Sequence, residues 1–576
     1  MGDVAPIVPS HLRRFVVEQD YSQYTAVDQA VWRFVLLQTY SRLVQTAHDA
    51  YREGLTASGI SVERIPSIEE MNEKLSRFGW GAVCVDGFIP PRAFQEFQAR
   101  GILPIAADMR TREHLVYTPA PDIIHEAAGH APILRDPVYA AYVRRIGDLG
   151  RKAFTRPEEN RVDGAIHALS EAMENASLAA EDLARFEADL GSALRGASEP
   201  SEAARLSRLY WWTAEYGLVG RLRDYKIYGA GLLSSLGESH SCHAANVTKR
   251  PLDEECLNVA YDITRPQPQL FVVPSFEALH DVLDRVGRDL AVQVGGRLAL
   301  ARAIESRELA SVHLSSGACV VGVLAEAGPI LDSPAWLVFE GPGALAWDGL
   351  IPEVDALRWQ DGCCIVLGRL GNGQAFDVLI ESGLHRWRDA SSGRHGFDFA
   401  NGARVEGRWV QAARRPDGRL MHAELSDAWL TLPGKPRRHV GRYALIAAGD
   451  VVSVHAGAVD PAFHAAGAGP SARVPRPRAR PAAERRLLEL YERAEAAHRA
   501  GGAPILGEFC TILAELDRAY PDEWLLRWNM LESLLKSRDD GPITRSLRTA
   551  LERLEVQFDH REPIASGLRY LASDAA

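Results

Sequence analysis

Apolar positions recur at helical spacing from Thr25 to about Gly54, through Val27, Val31, Phe34, Tyr40, Leu43 and Ala47, and Thr25-x-x-Asp28 resembles a capping signal at the start. The pattern predicts one long helix. A second start is expected after Pro66 at Ser67-x-x-Glu70, and a third helix from about Pro91 to Arg100, closed by Gly101. Between Glu158 and Glu202 an Ala, Glu, Leu and Arg-rich stretch, interrupted at 191–196, predicts a helical hairpin inserted near a site; it reads as a solvated structural arm. The character changes after Val286. From about Leu290 to Val459, short runs such as Ala318-Cys-Val-Val-Gly-Val-Leu and Cys364-Ile-Val-Leu-Gly alternate with Gly, Asp and Pro clusters, predicting strands that end with Val451-Val-Ser-Val-His-Ala. A Pro, Gly, Ala and Arg tract at 465–483 reads as a linker, and four amphipathic helices are expected beyond it, at 484–494, 509–520, 522–537 and 544–558.

Composition narrows the function class. A chain of 576 residues, 46% hydrophobic and 24% charged, can bury several cores. Its net charge of −11 argues against a nucleic-acid or membrane-surface binder, and the four arginines of the linker lack interleaved aromatics. Seven scattered cysteines without a C-x-x-C pair suit a reducing compartment. No signal-peptide pattern and no apolar run of membrane-spanning length occurs, so the expectation is a cytoplasmic protein acting on small molecules.

The chemistry concentrates in Thr118-Pro-Ala-Pro-Asp-Ile-Ile-His-Glu-Ala-Ala-Gly-His-Ala-Pro132. His125 and His130 are separated by five residues, which on a regular helix puts the rings about 140° apart. Gly129 and Pro132 therefore predict a helix end or local unwinding that lets both imidazoles face one ion. The zinc-protease His-Glu-x-x-His motif is one residue shorter. A third donor is offered by Tyr210-Trp-Trp-Thr-Ala-Glu-Tyr-Gly-Leu-Val219, where Glu215 is the single acid of an apolar run. Two imidazoles and one carboxylate suit Fe(II) with open positions. A zinc hydrolase with Glu126 as base is the alternative from another class.

These segments resemble the pterin-dependent aromatic amino acid hydroxylases, phenylalanine 4-monooxygenase being the most similar type. Tyr117 to Pro132 resembles the iron-histidine segment and Trp211 to Leu218 the iron-glutamate segment; Tyr228-Gly-Ala-Gly-Leu-Leu-Ser-Ser-Leu-Gly-Glu238 resembles the amino-acid pocket, and Gly87-Phe-Ile-Pro-Pro-Arg-Ala-Phe94 the pterin loop. The resemblance covers roughly Tyr21 to Val286, apart from the insertion at 158–202. It implies a mainly α catalytic domain of the aromatic amino acid hydroxylase type at 1–288; with the patterns read beyond it, the expectation is a multidomain fold that continues with a β-rich domain at 289–464, the linker at 465–483 and a small α-helical C-terminal domain at 484–576.

Carried over residue by residue, the resemblance implies His125, His130 and Glu215 as iron ligands and catalytic centre. It implies Arg110, Thr118, Pro121, Trp211, Gly231 and Ser234 for the substrate, Arg110 taking its carboxylate. Gly87, Ile89, Phe94 and Glu126 would hold the tetrahydropterin, a tetrahydrobiopterin or a related pterin, and Asp122 would orient a ligand imidazole. The activity implied is hydroxylation of an aromatic amino acid ring with O2, Fe(II) and a reduced pterin. Ile263 at a position where tyrosine hydroxylases carry an acid favours L-phenylalanine to L-tyrosine, with tyrosine or tryptophan as alternatives. Pro90, Pro91 and Pro104 replace family serines and a histidine near the pterin, leaving its identity open.

Overall fold

The protein is described here from a computed structural model. It describes residues 6–87, 89–116, 122–174, 180–196, 199–261, 266–330, 334–347, 358–378, 385–414, 418–440, 443–447, 449–459, 482–500, 504–557 and 561–574. Thr118, Pro121, Ile263 and most of the predicted linker lie outside these residues.

The first helix, Ala26–Thr46, begins with a complete capping box: Asp28 N–H donates to the Thr25 hydroxyl and Thr25 N–H to the Asp28 carboxylate. It does not run on to Gly54. Ala47 is extended and bridges Ile227, His48 N–H donates to the Ile227 carbonyl at 2.8 Å, and a separate helix follows at Asp49–Ala57. A distant strand thus captures the N–H that a continuous helix would have used. Ser67 caps the helix Ile68–Leu75, and Pro91–Ala99 forms the third expected helix. Small sheets flank these helices. One joins Val16–Val17, Gly81–Val85 and Ile102–Ala106; the other joins Asp224–Ile227, Leu218–Arg221, Gln269–Val273 and Thr248–Pro251.

The hairpin appears as the helices Pro157–Glu174 and Ala180–Arg195, the second running through Gly191. The region after Val286 carries a helical turn, Ala291–Val294, and a helix, Gly296–Ser306, before the first strand, Leu309–Leu314. Leu300, Ala303 and Ile304 recur at helical spacing there, and Gly295 and Gly296 lie at the helix start. Eleven described strands between Leu309 and Ala456 form one sheet; Val451–Ala456 returns to pair antiparallel with Leu309–Leu314. This region is fastened to the preceding one by Ala456 N–H to the Lys152 carbonyl (2.9 Å), by Arg92 of the helix Pro91–Ala99 to Glu308 (2.7 Å) and by the Glu202 carboxylate, which accepts from Ala291 and Phe154 N–H.

Five C-terminal helices are described, Ala482–Ala500, Pro504–Ala519, Leu525–Lys536, Pro542–Gln557 and Arg561–Asp574, one more than the periodicity predicts. Their buried residues, among them Tyr491, Phe509, Trp524, Trp528 and Leu551, are continuous with the core around Ala26–Thr46. Phe34 meets Trp524 and Trp528 edge-on at 5.1 and 4.7 Å, and Arg33 pairs with Glu532 at 2.8 Å in a buried contact. Among the described residues, no helix is long and apolar enough to cross a membrane.

Candidate metal centre

Residues Ile124–His130 form a π-helical turn, with Ala131 N–H donating to the Glu126 carbonyl five residues back. That pattern returns positions i and i+5 to one face, so the two histidines converge without a helix end. The expected unwinding is therefore a widening: the chain continues as the helical turn Ala131–Ile133. Gly129 serves packing. A Cβ there would lie 2.8 Å from the Ala230 carbonyl oxygen, because the helix Ala230–Ser234 crosses at that point. Gly129→Ala should thus destabilise by about 1–3 kcal/mol through overpacking, although helix propensity alone favours alanine by ~1 kcal/mol. Chemical denaturation gives the sign.

Glu215 ends a second π-helical turn, Trp211–Glu215, where Tyr216 N–H donates to the Trp211 carbonyl. Its two oxygens face the two imidazoles: Oε2 is 3.2 Å from His125 Nε2, and Oε1 3.1 Å from His130 Nε2. One ligand atom from each of the three residues lies within 4.8 Å of the others. His130 Nε2 is buried and faces the Glu215 carboxylate, on the side of the common point. Burial pushes the Glu215 carboxyl up, but the two imidazoles outweigh it and hold it well below the usual carboxylate range. Burial likewise lowers His125, and Glu215 more than offsets this, raising the imidazole to about 9. A buried anion facing two imidazoles is a donor set that suits a divalent cation.

The tautomer of His125 follows from its neighbours. The Ser234 hydroxyl donates to the Ala230 carbonyl at 2.8 Å and so accepts from His125 Nδ1 at 3.1 Å, which turns Nε2 toward Glu215 as the atom a metal would take in place of its proton. Asp122 does not orient an imidazole, as the sequence suggested. Its carboxylate accepts the backbone N–H of His125 at 3.0 Å and forks the Arg110 guanidinium at 2.7 and 2.8 Å. Burial would raise the Asp122 carboxyl; Arg110 outweighs it and keeps the carboxyl low. Arg110 Nη1 also donates to the Ser234 carbonyl at 3.1 Å. Among the described residues, three of the five guanidinium N–H groups are thereby used, and one is left on each of Nη1 and Nη2.

Trp211 stacks on Tyr261 at 4.3 Å and leans on Tyr216 at 4.7 Å, and Gly231 is buried against the Tyr216 ring, which a Cβ would approach to 2.9 Å. Phe94 is half-buried, edge-on to Tyr210 at 5.9 Å, and Tyr210 lies 6.4 Å from His130. Gly87 has a φ of 60°, with open space where a Cβ would sit, and Ile89 packs on the cluster of Leu12, Val83 and Phe97. Glu126 is buried 4.0 Å from His130 Nε2, and burial raises its carboxyl.

One buried acid was missed. Glu238 accepts from the Tyr216 hydroxyl at 2.9 Å and from Gln267 N–H at 3.3 Å, tying the pocket segment to the ring behind Trp211. Glu238 closes a motif already singled out, but no sequence signal marks its partners, which lie 22 and 29 residues away. Burial raises its carboxyl to about 7 from 4.5. The folded chain thus binds more protons than the unfolded one between those values, and this group's contribution to stability falls as pH rises through that window. Glu238→Gln should remove the slope, so the melting temperature of the variant relative to the parent should be higher at pH 8 than at pH 5.5. An unchanged difference at both pH values would refute it.

Comparison with known proteins decides the family. The sequence profile described as biopterin-dependent aromatic amino acid hydroxylase matches residues 17–156 and 165–295. The chain is 32% identical over 270 residues to a phenylalanine-4-hydroxylase of Ralstonia nicotianae, covering 46% of this chain and 72% of that protein. It is 32% identical over 271 residues to that of Mesorhizobium japonicum, covering 46% and 82%. The chain belongs to the biopterin-dependent aromatic amino acid hydroxylases. It is a pterin-dependent aromatic amino acid monooxygenase, and the metal that suits the triad of His125, His130 and Glu215 is iron. The zinc hydrolase alternative falls with that assignment. A solved phenylalanine hydroxylase of Chromobacterium violaceum, with bound iron(III) and 7,8-dihydrobiopterin, aligns at a TM-score of 0.37 and 28% identity, covering 49% of this chain and 92% of that one. The family match passes over only residues 157–164 of the hairpin and stops at 295, so the strands and C-terminal helices lie beyond it.

Proposed function

We propose that this hydroxylase converts L-phenylalanine to L-tyrosine with O2 and a tetrahydropterin, the chemistry residing within residues 1–288. The observation that carries the reading is the buried anion Glu215 facing two imidazoles whose spacing the π-helical turn brings to one point. Relatives sharing about a third of their residues with it are phenylalanine-4-hydroxylases, which supports phenylalanine as the substrate.

Iron bound there, with a reduced pterin, supplies the activation of O2 needed to hydroxylate an aromatic ring. The chain's own residues bind and orient. Arg110 offers its two remaining N–H groups to the substrate carboxylate, in a pocket closed by Gly231 and Ser234, and its fork to Asp122 fixes the guanidinium plane. Trp211, held by the Tyr261 and Tyr216 rings, is the apolar surface for the substrate ring. Phe94 would offer the pterin an aromatic face, Gly87 and Ile89 their backbone, and Glu126 a polar contact. Ser234 accepts the Nδ1 proton of His125 and keeps Nε2 available. Seven free thiols support a cytoplasmic setting.

The test is a competition assay. Protein loaded with Fe(II) and given tetrahydrobiopterin, O2 and equimolar phenylalanine, tyrosine and tryptophan should form tyrosine from isotopically labelled phenylalanine as its main product. Preferential loss of tryptophan or tyrosine would change the substrate; no ring-hydroxylated product from iron-loaded protein would overturn the reading.

A further inference from the structure

The C-terminal helices lie outside the family match yet reach the loop that carries Arg110. That loop leaves the strand Ile102–Ala106 and leads to Asp122, where the fork to Arg110 holds it at one point. Two residues past Arg110, in the short turn Arg112–His114, the Arg112 guanidinium donates to the carboxylate of Glu523. Glu523 sits just before the helix Leu525–Lys536, and its side chain is 2% exposed against 31% for Arg112. Its other oxygen accepts from the Tyr491 hydroxyl at 2.7 Å and from Leu526 N–H at 3.2 Å. The acid is thus immobilised by two C-terminal helices, and those helices are anchored to the catalytic core through Phe34, Trp524, Trp528 and the buried Arg33–Glu532 pair.

A carboxylate this buried requires compensation, and Arg112 supplies the formal charge that a tyrosine hydroxyl and an N–H cannot. The consequence runs toward the loop. Surface loops are the mobile part of a fold, whereas a group that aligns a substrate must be held to within tenths of an ångström. We infer that the C-terminal helical segment is a built-in clamp on the substrate loop, with Glu523 and Arg112 as positioning residues that act through Arg110. This rests on the proposed role of Arg110 for the substrate carboxylate.

The experiment uses the full-length, iron-loaded chain with Arg112→Gln, Glu523→Gln, the double variant and Arg112→Lys. A clamp predicts faster hydrogen exchange at 108–116 in both single variants. It also predicts a KM for phenylalanine raised roughly tenfold with kcat and the pterin KM little changed, since misplacement by a fraction of an ångström weakens alignment. The double variant should be no worse than either single one, because one interaction is removed in each case. Arg112→Lys, which keeps the charge, should restore most of the loss. Unchanged exchange at 108–116 in Arg112→Gln overturns the clamp. So does an effect seen only in Glu523→Gln together with a lower melting temperature, which would confine Glu523 to holding its own helices. Faster exchange with an unmoved KM would sustain the clamp and instead count against Arg110 as the carboxylate ligand.

Discussion

Glu215→Gln should yield a folded chain that retains little iron and hydroxylates phenylalanine at least about 10³-fold more slowly, equivalent to ~4 kcal/mol of lost stabilisation. Among the described residues, Glu215 is the one anion whose two oxygens face both imidazoles, at 3.2 and 3.1 Å. Glutamine keeps the shape but supplies no charge, and its amide nitrogen turns a proton toward a point built for lone pairs. The fold should tolerate the change, because the carboxylate is replaced by an isosteric neutral group. Metal analysis of the purified variant, read beside its circular dichroism and its rate of tyrosine formation, checks all three statements. Full iron content with normal turnover would mean that Glu215 is not a ligand.

Arg110→Met should be costly in two separable ways. The guanidinium and Asp122 side chains are 1% and 3% exposed, so truncating the cation leaves a buried carboxylate without its counter-charge, a loss of about 3–5 kcal/mol. Asp122 also accepts the backbone N–H of His125, so the disturbance reaches the first metal ligand. The sign with pH is definite. In the parent, the depressed carboxyl contributes stability above its ordinary value near 3.8, lost as pH falls below it. In the variant burial is opposed only by the backbone N–H groups of residues 110 and 125, so that carboxyl rises relative to the parent, and the deficit is greatest at neutral pH and shrinks as the acid protonates. Denaturant unfolding at pH 5 and 7.5 measures this, and adding Asp122→Asn should recover part of the loss. The kinetic effect, a KM for phenylalanine raised about 100-fold, reports the lost carboxylate contact and should not be recovered by that second substitution.

The helix starts were legible wherever capping is local. Thr25 with Asp28, and Ser67 with Glu70, satisfy N–H groups within three residues, so no distant partner is needed. The break at Ala47 was not legible, because it is made by Ile227, a residue 180 positions away. The strand-rich region was recognised from its short apolar runs. Its leading helix, Gly296–Ser306, lies inside the stretch from Leu290 that the sequence pattern assigned to strands. At the site, the spacing of His125 and His130 announced a departure from α-helical geometry, but a helix end and a π-helical turn solve the same angular problem and differ only in long-range packing.

By itself, then, the sequence determined which donors meet a metal and which family chemistry they serve, since ligands carried on short segments of invariant covalent spacing can be read without the fold. Tertiary structure alone decided how those donors are held. Ser234 rather than Asp122 sets the His125 tautomer, Glu238 braces the ring behind Trp211, and Glu523 reaches Arg112 across 411 positions of chain. Each of these is a hydrogen bond between residues far apart in sequence, and its existence depends on where whole helices pack, a property that no local period or motif encodes.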